Sequence, residues 1–120
     1  MNRERIVRDY LGAMENGDLA ATYACFTADA TVTSPVYGNM PARPFYERLY
    51  GDTVAAKVDV RDIYSSVSDA NHWAAHFGYE WTRRDGVSLS SSLVDLFQFA
   101  DGEDKIRSLE IIFDRGAMNN

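Results

Sequence analysis

The sequence predicts one α+β domain in which helices come first and long antiparallel strands follow. Apolar residues near the start recur every three or four positions, which is the spacing of a helix with one buried face. From about residue 56 onward they recur at every second position, as in strands with one buried face. The pairs Asp85-Gly86 and Asp101-Gly102 separate the later runs and are typical of hairpin turns. We therefore expect three N-terminal helices packed on a strongly curved, mainly antiparallel sheet, a cone-shaped α+β barrel with a pocket at its open end.

The first two helices are predicted by an apolar stripe and by the residues that end the first helix and cap the second. The stripe of the first helix consists of Ile6, Val7, Tyr10, Leu11 and Met14. Asn16-Gly17 is a typical helix end, and Asp18 can cap a second helix. We expect that second helix to run as far as Phe26.

A short strand and a third helix are expected next. The strand is predicted from Ala30 to Ser34. Pro41 and Pro44 then precede a short helical pattern, near residues 45–50, and proline is favoured in the first turn of a helix. Gly51 is expected to end this third helix.

The strands of the second half are predicted at residues 56–64, 72–82, 87–99 and 105–113. In the second of them, alternation separates two faces. One face is aromatic and carries Trp73, Phe77, Tyr79 and Trp81. The other carries His76 and Glu80. Periodicity alone does not say which face is concave, but we favour the aromatic face as the one that points inwards.

Composition narrows the class of protein. The 120 residues suffice for one domain, residues 1–120, and Cys25 is the only cysteine, so no disulfide can form within the chain. The net charge of −6 argues against a nucleic-acid surface, which needs clustered Lys and Arg. No apolar run has the length of a membrane span, and the start lacks the pattern of a secretory signal. We expect a cytoplasmic protein.

The chain resembles the nuclear transport factor 2-like superfamily, in particular its ketosteroid isomerase and SnoaL-like polyketide cyclase branch. The resemblance extends over residues 6–113. It rests on three features. The helix-helix-strand opening is at Arg8-Asp9-Tyr10-Leu11, Asn16-Gly17-Asp18 and Phe26 to Val32. The aromatic pair of the third helix is Phe45-Tyr46, and the closing hairpin begins with Leu93 to Phe99. The resemblance implies an α+β cone, but this superfamily supports isomerases, cyclases and proteins without catalytic activity.

The resemblance also implies roles for individual residues. Tyr10 falls where the isomerases keep a tyrosine that donates to the substrate oxyanion, and Asp95 where they keep a protonated aspartic acid beside it. Tyr46 matches a tyrosine that supports the first, and Phe26 stands where a further supporting tyrosine would be. Two neutral donors in a water-poor pocket stabilise an enolate-like oxygen better than water does. The ketosteroid isomerases, which the chain resembles, use this arrangement.

The main departure from the isomerases is Ser34, which stands where they keep a catalytic carboxylate. A serine hydroxyl has no useful basicity at pH 7, so a base would have to come from elsewhere. His76 and Glu80 are candidates if their strand face points inwards, and Asp62 on the preceding strand is a further one. The alternative for Asp95 is a structural role, with a hydrogen bond to the backbone or to Arg107 on the next strand.

Further residues are expected to contact a ligand. Ser34 is predicted as a polar contact, with a turn formed by Ser34-Pro35 as the structural alternative. The apolar lining is predicted to include Phe26, Phe77, Trp81, Phe97, Leu109 and Phe113. Two histidines at strand spacing do not make a metal site, so neither a metal nor another cofactor is expected.

Two functional hypotheses remain. The first is a cofactor-independent isomerase or cyclase-like enzyme that polarises an oxygen of an apolar carbonyl-bearing or phenolic ligand. The second is a non-catalytic module that uses the same cone to bind a ligand or a partner, and Ser34 favours it. The resemblance further implies a homodimer that pairs through the outer sheet face, which would include Ser90, Ser92, Val94 and Leu96.

Overall fold

The computed structural model describes residues 2–119. The helices are α1 (Arg3–Asn16), α2 (Leu19–Tyr23) and α3 (Ala42–Asp52). The strands are β1 (Phe26–Ser34), β2 (Gly38–Pro41), β3 (Thr53–Ser65), β4 (His72–Arg83), β5 (Ser88–Phe99), β6 (Ile106–Ile112) and β7 (Met118–Asn119). A short 3-10 helix, Arg115–Ala117, precedes β7.

The strands form one curved sheet in the order β2-β1-β6-β5-β4-β3, and β7 pairs with β5 beside this path. All pairings are antiparallel except that of β1 with β6, which is parallel. The expected α+β cone is therefore confirmed, with a mainly antiparallel sheet that carries three helices. The sheet does not close into a complete barrel, since β2 and β3 remain as edges.

The predicted stripe of α1 lies against the concave face of the sheet. Val7, Tyr10 and Leu11 are almost completely buried there. Gly17 ends the helix in the left-handed conformation (φ 63°), which glycine adopts without steric cost. Asp18 caps α2, because its carboxylate accepts the backbone N–H of Ala21 at 3.1 Å.

The structure corrects several predicted boundaries in the first half. The second helix ends at Tyr23, and Phe26 already begins β1, so Phe26 pairs with a neighbouring strand instead of continuing a helix. The third helix begins at Ala42 and continues past Gly51 to Asp52. Glycine weakens a helix but does not oblige it to end. The strand β2 was not expected, because its four residues have no alternating pattern.

The N-terminus of α1 is fixed to the sheet by a buried arginine. Arg3 is only 8% exposed, and its guanidinium packs over the ring of Phe99 at 5.1 Å. It donates hydrogen bonds of 3.2 Å or less to the loops before β4 and after β5, with acceptors on Ala70, Asn71, Ala100 and Glu103. This cluster holds the helix start at the end of the cone away from the pocket described next.

Candidate ligand pocket

An apolar pocket lies between α3 and the concave face of the sheet. Its lining is Met14, Ser34, Val36, Tyr37, Phe45, Leu49, Phe77, Tyr79, Trp81, Leu89, Leu93, Asp95, Ile111 and Phe113. Asp95 is the only ionisable carboxyl group in this lining. The aromatic face of β4 therefore points inwards, as the sequence pattern favours.

The pocket is narrow. Its cavity volume is about 40 Å³, whereas the whole depression with its open mouth encloses about 410 Å³ of empty space. A cavity of the smaller size holds only a few water molecules, since one water needs roughly 10–15 Å³ by this measure. Sites for drug-sized ligands have volumes of roughly 300–1,000 Å³. A ligand with several rings therefore requires side chains to move.

Asp95 lies at the centre of β5, and its carboxyl group has no hydrogen-bond partner among residues 2–119. The side chain is 1% exposed, and both carboxyl oxygens are buried and unpaired. Across the sheet its neighbours are Ala75 on β4 and Ile111 on β6. Burial raises the pKa of Asp95 well above the ordinary range of a carboxyl group, which favours the neutral acid. The expected alternative, a hydrogen bond to the backbone or to Arg107, is not formed.

Tyr10 and Tyr46 form a completely buried pair. Their hydroxyl oxygens are 2.6 Å apart, and the hydroxyl of Tyr10 also lies 3.6 Å from the sulfur of Met14. Burial raises the pKa of Tyr10 well above its ordinary value, and Tyr46 and Asp95 add to this effect. Burial likewise raises the pKa of Tyr46. Both phenols are therefore neutral donors at physiological pH.

Tyr10 does not itself line the pocket, because Met14 lies at the pocket wall and contacts its hydroxyl. Phe26 and Phe97 pack edge-on against the Tyr10 ring, with centroids 5.7 and 5.6 Å away. These two phenylalanines and Leu109 belong to the core behind the pocket and are not part of its lining. Of the residues predicted to contact a ligand, the structure places Ser34, Phe77, Trp81 and Phe113 at the pocket.

Ser34 lines the pocket, but its side chain also has a structural partner. Its Oγ accepts the backbone N–H of Tyr37 at 3.0 Å, which stabilises the turn between β1 and β2. The hydroxyl hydrogen remains free to donate, since accepting a hydrogen bond does not use it. The structure thus combines the two alternatives for Ser34, a turn residue that also faces the pocket.

Two tyrosines of the lining were not among the predicted site residues. Tyr79 is buried, and its hydroxyl makes no hydrogen bond to any of residues 2–119; burial raises its pKa. Tyr37 donates to a carboxylate oxygen of Asp52 at 2.8 Å, and burial followed by this bond raises its pKa to about 12. The aromatic alternation of β4 already contained Tyr79, whereas Tyr37 lies in a turn that has no periodic pattern.

The candidate bases lie outside the pocket. His76 and Glu80 are on the opposite face of β4 from Phe77 and Tyr79, and neither belongs to the lining. Asp62 is exposed on β3, where its carboxylate accepts the backbone N–H of Ile63. Within the described part of the chain, the pocket thus offers neutral donors to an oxygen but no ionised carboxylate or imidazole that could accept a proton.

Within residues 2–119, no group of three or more His, Cys, Asp or Glu side chains is arranged so that it could hold a metal ion. No helix in the same range is long and apolar enough to cross a membrane.

Fold and pocket together define the class of this protein, a small α+β cone with a buried acid in its apolar pocket wall. Comparison with known families supports the fold. The family model described as a SnoaL-like domain matches residues 7–108. The chain therefore belongs to the SnoaL-like family, within the nuclear transport factor 2-like superfamily. A search of curated protein sequences finds no match.

Solved structures show the same fold at low sequence identity. A polyketide cyclase, described as putative, from Pseudomonas putida is 16% identical with a TM-score of 0.81, over 98% of this chain and 95% of that one. A Delta 5-3-ketosteroid isomerase from Mycobacterium sp. is 18% identical with a TM-score of 0.75, over 96% and 95%. An LEH-like epoxide hydrolase from M. tuberculosis is 16% identical with a TM-score of 0.78, over 98% and 86%. Several chemistries thus occur on this fold, and the fold does not choose among them.

Proposed function

We propose that this protein binds an apolar small molecule through a carbonyl or phenolic oxygen, and that Asp95 in its neutral form donates a hydrogen bond to that oxygen. The observation that carries the proposal is the unpaired carboxyl group of Asp95, which is buried in an otherwise apolar pocket wall. An unsatisfied buried polar group costs roughly 1–3 kcal/mol. A ligand oxygen would remove that cost.

Tyr10, supported by Tyr46, is proposed as the second donor to the same oxygen. Asp95 adds to the rise in the pKa of Tyr10 that burial causes, and the hydroxyl of Tyr46 lies 2.6 Å from that of Tyr10. Two neutral donors directed at one oxygen favour an enolate or phenolate over the neutral ligand, because they stabilise charge without introducing a counter-charge. The chemistry supported is stabilisation of an oxyanion in an isomerase-like or cyclase-like reaction.

A fluorescence titration with 2-naphthol, whose emission changes on ionisation, tests the role of Asp95. Saturable binding that favours the ionised phenol is expected for the wild-type protein. Asp95→Ala is expected to weaken binding at least about tenfold, or about 1.4 kcal/mol, because a charge-assisted hydrogen bond is lost. Asp95→Asn is expected to lose less, since an amide still donates.

Asp62→Asn is the matched control, since it removes an exposed carboxylate on β3, two strands away from Asp95, and should leave the affinity unchanged. Equal affinities for wild type, Asp95→Asn and Asp95→Ala would contradict the proposal. Circular dichroism and the unfolding midpoint of each variant establish that a loss of binding is not a loss of fold.

A non-catalytic binding module is the second candidate function. It is favoured by the pocket lining, because among residues 2–119 this lining contains Ser34 but no imidazole, and no carboxyl group except Asp95. In that case the wild-type protein would bind 2-naphthol but would not isomerise a β,γ-unsaturated ketone such as cyclohex-3-enone. Measurable isomerisation of this ketone by the wild-type protein, abolished by Asp95→Ala, would instead support an enzyme.

We also propose a homodimer that pairs through the outer face of the sheet. Tyr64 and Ile112 are 52% and 44% exposed there, and the strand register places Val94 beside Ile112 and Leu96 near Tyr64. These four side chains lie on β3, β5 and β6, with Ala74 of β4 between Leu96 and Tyr64, and exposed apolar patches mark contact surfaces.

Light scattering during gel filtration tests the proposed homodimer. Leu96→Glu is expected to give a monomer, whereas Val54→Glu, a control at a 62% exposed position outside the patch, should remain a dimer. A monomeric wild-type protein would contradict the proposal.

A further inference from the structure

Met14 occupies the position from which a ligand oxygen would have to accept the hydrogen bond of Tyr10. Its sulfur lies 3.6 Å from the Tyr10 hydroxyl, and its side chain forms part of the pocket wall. Met14 is 5% exposed and lines the pocket, whereas Tyr10 and Tyr46 are absent from the lining. As the structure stands, Asp95 can reach a ligand in the pocket, whereas Tyr10 is screened from it.

The direction of these hydrogen bonds follows from the chemistry of the groups. A thioether sulfur only accepts, so Tyr10 must donate its single hydroxyl proton to Met14. Both tyrosine hydroxyls then have an acceptor only if Tyr46 donates to the oxygen of Tyr10. The chain of donors runs from Tyr46 through Tyr10 to Met14, and it ends on a weak acceptor.

A second cavity lies on the other side of Met14. It has a volume of about 250 Å³ and lies between the end of α1 and the beginning of β3. Met14 and Tyr79 line both this cavity and the pocket, and therefore form the partition between them. The second cavity gives the flexible Met14 side chain a space into which it can turn.

We propose that Met14 is a gate, which turns towards the second cavity when a ligand enters and gives up its hydrogen bond from Tyr10 to the ligand oxygen. The proposal rests on the ligand-binding function proposed above and deepens it. Replacement of a neutral sulfur by an anionic oxygen is favourable, because charge-assisted hydrogen bonds are roughly twice as strong as neutral ones. The movement also enlarges a cavity of about 40 Å³ that is too small for an aromatic ligand.

The gate implies a preference among ligands. A molecule with a carbonyl or phenolic oxygen compensates for the loss of the Tyr10–Met14 contact, whereas a hydrocarbon of the same shape does not. We therefore expect 2-naphthol to bind at least about tenfold more tightly than naphthalene, and this ratio to shrink in Tyr10→Phe. In that variant the oxygen meets one donor instead of two.

Methionine methyl NMR tests the movement in the unaltered protein. The chain is labelled with carbon-13 at its methionine methyl groups, and the signal of Met14 is assigned by its absence in Met14→Leu. Addition of 2-naphthol is expected to shift the Met14 signal. The signal of Met40, which does not line the pocket, serves as the internal control.

Affinities of gate variants provide an independent readout. Met14→Ala, which leaves the passage open, is expected to bind 2-naphthol several times more tightly than wild type. Met14→Phe, which fills the passage, is expected to bind it at least about tenfold more weakly. If both variants bind as wild type does, Met14 is not a gate.

The outcomes separate the two proposals. Binding that depends on Asp95 but leaves the Met14 signal and the Tyr10→Phe affinity unchanged overturns the gate and keeps the proposed function. Absence of binding to both wild type and Met14→Ala overturns both. Binding to Met14→Ala alone supports the gate, because the pocket then exists but is closed in the wild-type protein.

Discussion

The hydroxyl oxygens of Tyr46 and Tyr10 lie 2.6 Å apart in a part of the core from which solvent is excluded. Tyr10 can donate its single proton to the sulfur of Met14, so both hydroxyls are satisfied only when Tyr46 donates to Tyr10. The two tyrosines are therefore not equivalent, because removal of each hydroxyl leaves a different group without its hydrogen-bond partner.

Tyr10→Phe is expected to destabilise the protein more than Tyr46→Phe. Loss of the Tyr10 hydroxyl leaves the buried hydroxyl of Tyr46 without an acceptor, at a cost of roughly 1–3 kcal/mol. Loss of the Tyr46 hydroxyl leaves Tyr10 still donating to Met14, so only about 1 kcal/mol is expected. Urea unfolding of both variants gives the comparison, and a larger loss for Tyr46→Phe would show that the hydrogen bond runs the other way.

Asp95 is expected to make stability fall as the pH rises above about 4. The pKa of this carboxyl is raised by burial in the folded protein, so the folded state holds its proton where the unfolded state releases it. The stability associated with this proton is fully present below the unfolded pKa. It is lost at about 1.4 kcal/mol per pH unit until the folded pKa is reached.

Urea unfolding of wild type and Asp95→Asn from pH 5 to pH 8 measures this contribution. As the pH rises, the unfolding free energy of the wild-type protein should fall relative to that of Asp95→Asn. A difference that is constant across this range would mean that Asp95 ionises normally and has a partner that the structure does not show.

Ser34→Asp is expected to gain isomerisation of cyclohex-3-enone. The new carboxylate would stand at the pocket wall and supply the missing base, while still accepting the N–H of Tyr37. Conversion is followed by the absorbance of the conjugated product. Ser34→Asn, of the same size but not basic, is the control, and equal rates for the two variants would show that a carboxylate at this position does not act as a base.

Cys25 is expected to be unreactive in the folded protein. Burial, and to a smaller degree Asp9, raises the pKa of its thiol to about 11, so very little thiolate is present at pH 8. Alkylation by iodoacetamide should be at least about a hundredfold slower than in urea-unfolded protein. Similar rates in the two states would show that the turn between α2 and β1, which contains Cys25, opens readily.

Arg3→Met is expected to destabilise the protein by roughly 3 kcal/mol. The substitution retains much of the packing against Phe99 but removes a buried charge that satisfies several backbone carbonyls. Arg5→Met is the matched control on the same helix, because the Arg5 side chain is 71% exposed and its ion pair with Asp9 contributes little. Equal unfolding midpoints for the two variants would contradict the structural role of Arg3.

Much of the fold is predictable from the sequence because burial imposes a period. The aromatic alternation of β4 and the stripe of α1 each report a single buried face, and the turns at Gly86 and Gly102 show the positive φ expected of hairpin glycines. Boundaries were less predictable. Phe26 continues the helical spacing of α2 but becomes the first residue of β1, since its pairing with Ile106 is a long-range contact that no local pattern contains.

The pocket was predictable only in part, for a related reason. Asp95 is conspicuous in sequence because a carboxyl interrupts an apolar strand, and the structure places it in the pocket wall. Whether Phe97, two residues later, faces the ligand or the core depends on which helix covers it, and it lies against Tyr10 in the core. The screening of Tyr10 by Met14 depends on side-chain conformation, which spacing does not encode.

The parallel pairing of β1 with β6 has a consequence for how the chain folds. Val32 pairs with Leu109, so the ribosome makes β2, β3, β4 and β5 before β1 can acquire this neighbour. Until then, β1 and the helices beside it expose apolar surface and an unpaired strand edge, which favour aggregation. Such distant pairings also slow folding, because a long loop must close before any contact compensates for the lost entropy. Production of this protein should therefore be limited by the lifetime of that unpaired state, and benefit from slow synthesis at low temperature or from chaperones.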